Sequence, residues 1–279
     1  MFYHDGKLQY PVKVEKSSPV FAKMLQQAIG GIEGEIRVCL QYLFQAWNAR
    51  GPKKYRDMLL ETGTEEMSHI EMLCTAVALN LEGADYALKE KIAGENPVVE
   101  AVLGGMNSRH ILSSGLGAMA VDSTGTPFNG GYIVGTGNIA ADMHANVTAE
   151  AGGRALATRL YEYTDDPGMK DMLSFLIARD TMHQNQWMAV LEEMDEVHPI
   201  PNSFPQEKEA KEFSYAFLST KVGATQESDP KTRWTTGKSI DGKGEFTFRV
   251  AVPHGEEPDL GMAKVPEVHA QLQQMGKKP

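Results

Sequence analysis

The sequence predicts an all-α fold: a four-helix bundle with a long glycine-rich crossover between its second and third helices, and an irregular C-terminal tail. Three observations predict it. Four segments carry inward stripes whose members recur alternately three and four positions apart, the period of helices packed side by side. Helix punctuation bounds them, with Ser18-Pro19 and Asp166-Pro167 as starts and Gly51-Pro52 and Gly83 as stops. Each stripe is also interrupted at mid-length by a carboxylate or an imidazole.

Residues Met1 to Lys16 read as irregular or as a small strand pair. The first helix is expected from Ser18 to Gly51, with Ala28, Gly31, Glu35, Val38, Tyr42 and Gln45 facing inward. Burying an unpaired carboxylate costs several kcal/mol, so Glu35 on such a stripe must be neutralised, paired or bound to a metal. Gly30, Gly31 and Gly34 lower helix propensity there and suggest the close approach of another backbone or space for a ligand. The second helix runs from about Lys53 to Leu81, with the stripe Leu59, Thr62, Glu66, His69, Leu73 and Ala76. The short link at Gly51-Pro52 makes these two an antiparallel hairpin and brings Glu35 opposite Glu66 and His69.

From about Glu82 to Gly137 the periodicity lapses, with nine glycines between Leu103 and Asn138. A connection this long has a task or structure of its own, such as a lid, a channel wall or a subunit contact. Short helical pieces are expected at 97–103 and 108–121. The third helix, from about Asn138 to Tyr163, points Met143, Asn146, Glu150, Gly153, Ala157 and Leu160 inward. The fourth, after Asp165-Asp166-Pro167-Gly168, does the same with Leu173, Leu176, Asp180, His183, Trp187 and Val190. Beyond it lies a polar tail, in which 213–218 and 245–252 read as short strands or docking segments. The domain division is therefore 1–198 for the bundle, including an N-terminal arm and the crossover 82–137, and 199–279 for the tail.

The chemistry rests on a repeated spacing. Glu66 and His69 lie at i and i+3, one helical turn apart, so both can reach a single metal ion. Asp180 and His183 repeat that geometry. Glu35 precedes Glu66 by 31 positions, and Glu150 precedes Asp180 by 30 and His183 by 33. Such an internal repeat is expected of a bundle with pseudo-twofold symmetry around two metals.

Composition limits the partners. A chain that is 42% apolar can bury a substantial core, while a formal charge of −10 argues against a nucleic-acid backbone or an anionic membrane surface. No apolar run approaches the roughly 18 residues of a membrane span, and the N-terminus carries no secretion-like pattern, so a cytoplasmic protein is expected. Cys39 and Cys74 lie within helical patterns and read as reduced core thiols.

Glu35, Glu66-Met67-Ser68-His69, Glu150 and Asp180-Thr181-Met182-His183, on four helices with a long crossover, resemble the ferritin-like dinuclear carboxylate proteins. Among these, Ala145-Asn146-Val147-Thr148-Ala149-Glu150 and Arg179-Asp180-Thr181-Met182-His183-Gln184-Asn185-Gln186-Trp187 are similar to manganese catalase over roughly residues 1–217. The resemblance implies two manganese ions per chain and the conversion of two hydrogen peroxide molecules to two waters and dioxygen. Glu35 and His69 would hold one manganese and Glu150 and His183 the other, with Glu66 bridging. It also implies a homohexamer in which the tail wraps over neighbouring subunits. A calcium site formed by Asp57, Glu61 and tail oxygens is a further expectation; an exposed acidic pair is the alternative.

Other roles stay open at this stage. Asp180 is the candidate acid–base group beside the metals, and its alternatives are a ligand or the buried partner of an arginine. Arg154, one turn beyond Glu150, is the candidate cation for Asp180, since Ala149 supplies no charge. Tyr42 either hydrogen-bonds a ligand carboxylate or simply packs. His110 and His144 either line an approach path or sit at the surface. The ligand set alone also fits a di-iron oxidase or ferritin-like store, or a non-enzymatic coat or stress protein with a vestigial site.

Overall fold

The computed structural model describes residue 4, residues 6–82, 108–195 and 208–252, and residue 258. The chain divides into two compact units, residues 1–205 and 206–279. The first is helical: α1 (Pro19–Gly30), α2 (Glu35–Asn48), α3 (Lys53–Leu81), the short α4 (Ser108–Leu112), α5 (Ile139–Tyr163) and α6 (Pro167–Glu193). The starts are capped as the sequence demands. Ser18 Oγ accepts from the Phe21 amide, Asn138 from that of Ala141, and Asp166 from that of Met169. The other oxygen of Asp166 accepts from the amides of Glu15 and Lys16, at 2.8 and 2.9 Å, and so fastens the N-terminal arm to the start of α6.

One expectation fails in an instructive way. The single helix expected from Ser18 to Gly51 is two helices, α1 and α2, separated by the turn Gly31–Gly34, and both pack on α3. Its glycines act as more than weak helix formers. A Cβ on Gly34 would fall 2.7 Å from the carbonyl oxygen of Ile29, and one on Gly30 would fall 2.5 Å from the backbone of Val121. The crossover therefore passes directly against the end of α1. The break makes Glu35 the first residue of α2 instead of the middle of a long helix.

The core falls into two apolar clusters. One gathers Leu25, Ile29, Met72, Leu73, Leu81, Met169, Met172 and Leu176, with Leu8, Tyr10, Val12 and Val14 of the arm packed on it. The other gathers Tyr42, Leu59, Met143, Trp187 and Val190. On α3, α5 and α6, and across the α1–α2 break, the carboxylates and imidazoles lie between the positions that supply these clusters.

The described part of the crossover is stitched to the bundle through buried amides. Gln26 donates to the carbonyls of Met119 and Val121 and accepts from the Met119 amide. Gln41 accepts from the Val134 amide and Gln45 donates to the Val134 carbonyl, while both also donate to Asn146 Oδ1 at 2.8 and 2.9 Å. The helical piece expected at 97–103 lies outside the described residues. That expected at 108–121 is helical only at Ser108–Leu112. His110 there is buried, and its Nδ1 sits 2.7 Å from the Gly117 carbonyl, so it braces the loop and is not a surface group.

In the second unit, α7 (Lys211–Ser214) leads into β1 (Ala216–Ser219), which pairs in parallel with β2 (Thr247–Val250). Both segments read as short strands or docking segments thus contribute a strand, and Phe217 stacks on Phe248 across the pair at 6.2 Å.

Candidate metal centre

The bundle brings five of the expected residues to one place. Glu66 and His69 rise from one face of α3, Glu35 faces them from the first turn of α2, and Glu150 and His183 meet them from α5 and α6. His69 Nδ1 lies 2.6 Å from Glu66 Oε2 and 3.7 Å from Glu35 Oε2. His183 Nδ1 lies 2.8 Å from Glu66 Oε1 and 3.5 Å from Glu150 Oε1. Glu66 thus offers one oxygen to each half, and the two imidazole rings lie 5.9 Å apart and nearly parallel, at 23°.

Despite these short distances, both oxygens of Glu66, both ring nitrogens of His69 and Nδ1 of His183 are buried with no hydrogen-bond partner. Leaving so many polar atoms unsatisfied costs more than a folded chain tolerates without compensation. Their geometry converges on shared points instead of on one another. Glu35, Glu66 and His69 form one group able to hold a metal ion, and Glu66, Glu150 and His183 form a second. Carboxylate oxygens with one imidazole per ion suit manganese or iron.

Burial and crowding set the charges. Burial pushes Glu35 up to about 8, with Glu66 adding repulsion. Burial likewise pushes Asp180 up to about 9, reinforced by Glu35, Glu150 and Glu66. Burial also works against the charge on Glu66, but the neighbouring His69 and His183 outweigh it and hold this carboxyl at about 2. His183 moves the other way: burial lowers it, yet the surrounding carboxylates of Glu150, Glu65 and Glu66 raise it to about 12. Binding of a cation among these groups would therefore displace protons.

Tyr42 donates a short hydrogen bond to Glu150 Oε1, which Trp187 Nε1 also approaches at 3.5 Å. Of its two readings, the carboxylate partner is the one present. The carboxylate, however, is that of Glu150 across the bundle and not Glu35 on its own helix. Asp180 is buried beside the ligands, facing Gly153, where a Cβ would meet Asp180 Oδ2 at 3.5 Å. The expected pairing of Arg154 with Asp180 is not found among the described residues: Arg154 donates instead to Thr181 Oγ1 at 3.3 Å. One helical turn of α5 carries its guanidinium past the aspartate to the next residue of α6.

A family profile described as manganese containing catalase matches residues 1–277. The chain belongs to the manganese catalase family. Its relatives include a manganese catalase of Bacillus subtilis, 48% identical over 274 residues and 98% of both chains. A manganese catalase of Lactiplantibacillus plantarum is 40% identical over 225 residues, 80% of this chain and 84% of the other. The crystal structure of KatB, a manganese catalase from Anabaena PCC7120, superposes with a TM-score of 0.69 at 24% identity, covering 91% of this chain and all of that one. At that identity the likeness speaks for the shared ferritin-like bundle.

Within this manganese catalase fold, two residues stand at the cluster that the spacing argument passed over. Glu65 lies behind both imidazoles, with Oε2 3.1 Å from His183 Nε2 and Oε1 3.7 Å from His69 Nε2. Arg179 grips it with Nε at 2.7 Å and Nη2 at 3.2 Å, and Gln9 Nε2 donates to it at 2.8 Å. The signal was present in the sequence, since Glu65 stands at i−4 to His69 and Arg179 at i−4 to His183. Asp57 faces Lys53 Nζ at 3.2 Å, and among the described residues neither it nor Glu61 joins a group able to hold a metal.

Proposed function

We infer that this chain disproportionates hydrogen peroxide to water and dioxygen at two manganese ions, with Glu35 and His69 holding one, Glu150 and His183 the other, and Glu66 shared. The observation that carries the reading is the convergence of buried, unpartnered donors from both halves on Glu66, in a chain of this family. The manganese pair supplies the two-electron capacity that reducing one peroxide and oxidising the next requires.

The protein's own residues handle what remains. Reduction of peroxide to two waters takes up two protons, and oxidation of peroxide to dioxygen releases two, so a group beside the pair must hold and return protons. Asp180 is that group: it is enclosed and beside the ligands, and burial raises its affinity for a proton. Tyr42 and Trp187 fix Glu150 from the opposite side, holding its oxygen on the His183 half. The apolar clusters on either side exclude bulk water from the ligands. The division at about residue 198 between bundle and tail, a homohexamer in which the tail covers neighbouring subunits, and a cytoplasmic setting belong to the same reading.

Metal analysis of the purified protein, alongside oxygen release from hydrogen peroxide with and without azide, tests it on wild type and Glu66→Ala. About two manganese per chain and azide-sensitive oxygen release that vanishes in the variant are expected. Iron in place of manganese, or two metals with no oxygen evolved, would overturn the reading.

A further inference from the structure

We propose that Glu65 is a positioning residue shared by both halves of the metal pair, and that Arg179 and Gln9 of the N-terminal arm hold it in that role. This rests on the metal-pair reading above. Consecutive residues of α3 flank the two imidazoles: Glu66 faces their Nδ1 atoms and Glu65 faces their Nε2 atoms. An ionised carboxylate accepts hydrogen bonds and donates none. Placed behind each ring, it selects the tautomer with hydrogen on Nε2 and leaves the Nδ1 lone pair free on the Glu66 side.

A single carboxylate serves both rings because it has two oxygens and its rotation is fixed. Oε2 meets His183 Nε2 at hydrogen-bond length, 3.1 Å, while Oε1 faces His69 Nε2 at 3.7 Å, an electrostatic approach to a buried nitrogen that has no hydrogen-bond partner. The Arg179 fork meets both oxygens, a two-pronged grip that sets the plane of the carboxylate. Gln9 closes the outer side through Oε1. The arm thereby reaches the metal centre through one intermediary, and the two imidazoles share a constraint that neither the Glu35 nor the Glu150 half provides.

The test uses the full-length protein loaded with manganese, with metal retention measured by competition against a chelator and the metal pair observed by electron paramagnetic resonance. Glu65→Gln keeps the shape but offers one acceptor and one donor, so it can satisfy only one of the two rings. One of the two manganese ions should then bind roughly 10- to 100-fold more weakly, with the resonance signal altered towards an unequal pair. Glu65→Asp should recover part of the loss, and Gln9→Ala should shift retention in the same direction by less. Should Glu65→Gln fail to fold, Arg179→Lys carries the test, since it keeps the charge and gives up the fork; weaker retention is again expected.

Both manganese ions held within about twofold of wild type, with an unchanged signal, would overturn the proposal, even if the melting temperature fell, because that is what a purely structural Glu65 would do. A wild type that binds no manganese would instead overturn the metal-pair reading, and the proposal with it.

Discussion

The two halves of the candidate metal centre are built from the same parts in different settings. Glu150 sits mid-helix in α5, almost fully enclosed, with Tyr42 and Trp187 donating to one oxygen. Its counterpart Glu35 begins a helix after a glycine turn, is the least enclosed of the five, and lies 3.7 Å from its imidazole with burial holding its proton on. One carboxylate is held by two donors on one oxygen, while the other faces its imidazole at 3.7 Å. The two carboxylates therefore differ in how much their removal leaves unsatisfied.

Removing what the halves share should have the largest effect: Glu66→Ala leaves neither with a complete ligand set, and oxygen release should fall to background with metal content near zero. The halves should then separate by stability. Glu150→Ala strands the Tyr42 hydroxyl and leaves His183 without one buried carboxylate, which should cost about 3 kcal/mol in denaturant unfolding of the metal-free protein. Glu35→Ala should cost less, about 1 kcal/mol in the same assay, since Glu35 has no hydrogen-bond donor of the Tyr42 kind to leave stranded and its carboxyl is held neutral. Equal costs would erase the contrast drawn above. Tyr42→Phe, which deletes only the donor to Glu150, should fall between them at about 1–2 kcal/mol.

The smallest effect is a pH dependence of the metal-free protein. Glu35 and Asp180 keep protons in the fold up to about 8 and about 9, where the unfolded chain has released them near 4. The native state therefore binds more protons over that window, and stability falls as pH rises through it. His183, raised to about 12, acts with the same sign: its contribution is complete below about 6.5 and is lost as pH climbs towards its folded value. Glu66 acts in the opposite sense, but only below about pH 4.5. The melting temperature should therefore drop by a few degrees from pH 6 to pH 9, while manganese affinity rises over the same range because the metal displaces these protons. A melting temperature that rises instead would mean that the cluster is not protonated as described.

Much of this architecture was legible because helices announce themselves by period and caps. The limits of α3, at Lys53 and Leu81, and the Asp166 cap of α6 follow from local sequence, and the stripes of α3 and α6 are buried at every member named. The break after α1 was not legible: Gly30, Gly31 and Gly34 signal low helix propensity and the close approach of another backbone, and the approach is present at Gly30, but neither signal says that the helix ends there. The backbone that approaches Gly30 is that of Val121 in the crossover, some 90 residues away, which no local pattern identifies. Spacing also found the five clustered residues, because i and i+3 fix a face. It could not assign Tyr42 to Glu150 or Arg154 to Thr181, since contacts across the bundle depend on helix register, which no periodicity within one helix records.

The amides that hold the crossover carry one more consequence. Gln26 grips it at Met119 and Val121, and Gln41 and Gln45 grip it at Val134, so noncovalent clamps on α1 and α2 secure its described part where it meets the bundle. These clamps predict that the two halves of the bundle associate without a covalent connection between them. Two separately produced chains, divided within 83–107, should complement each other when co-expressed and co-purify as a manganese-binding complex. Failure of the halves to find one another would mean that the crossover is needed as a tether and not only as a strap.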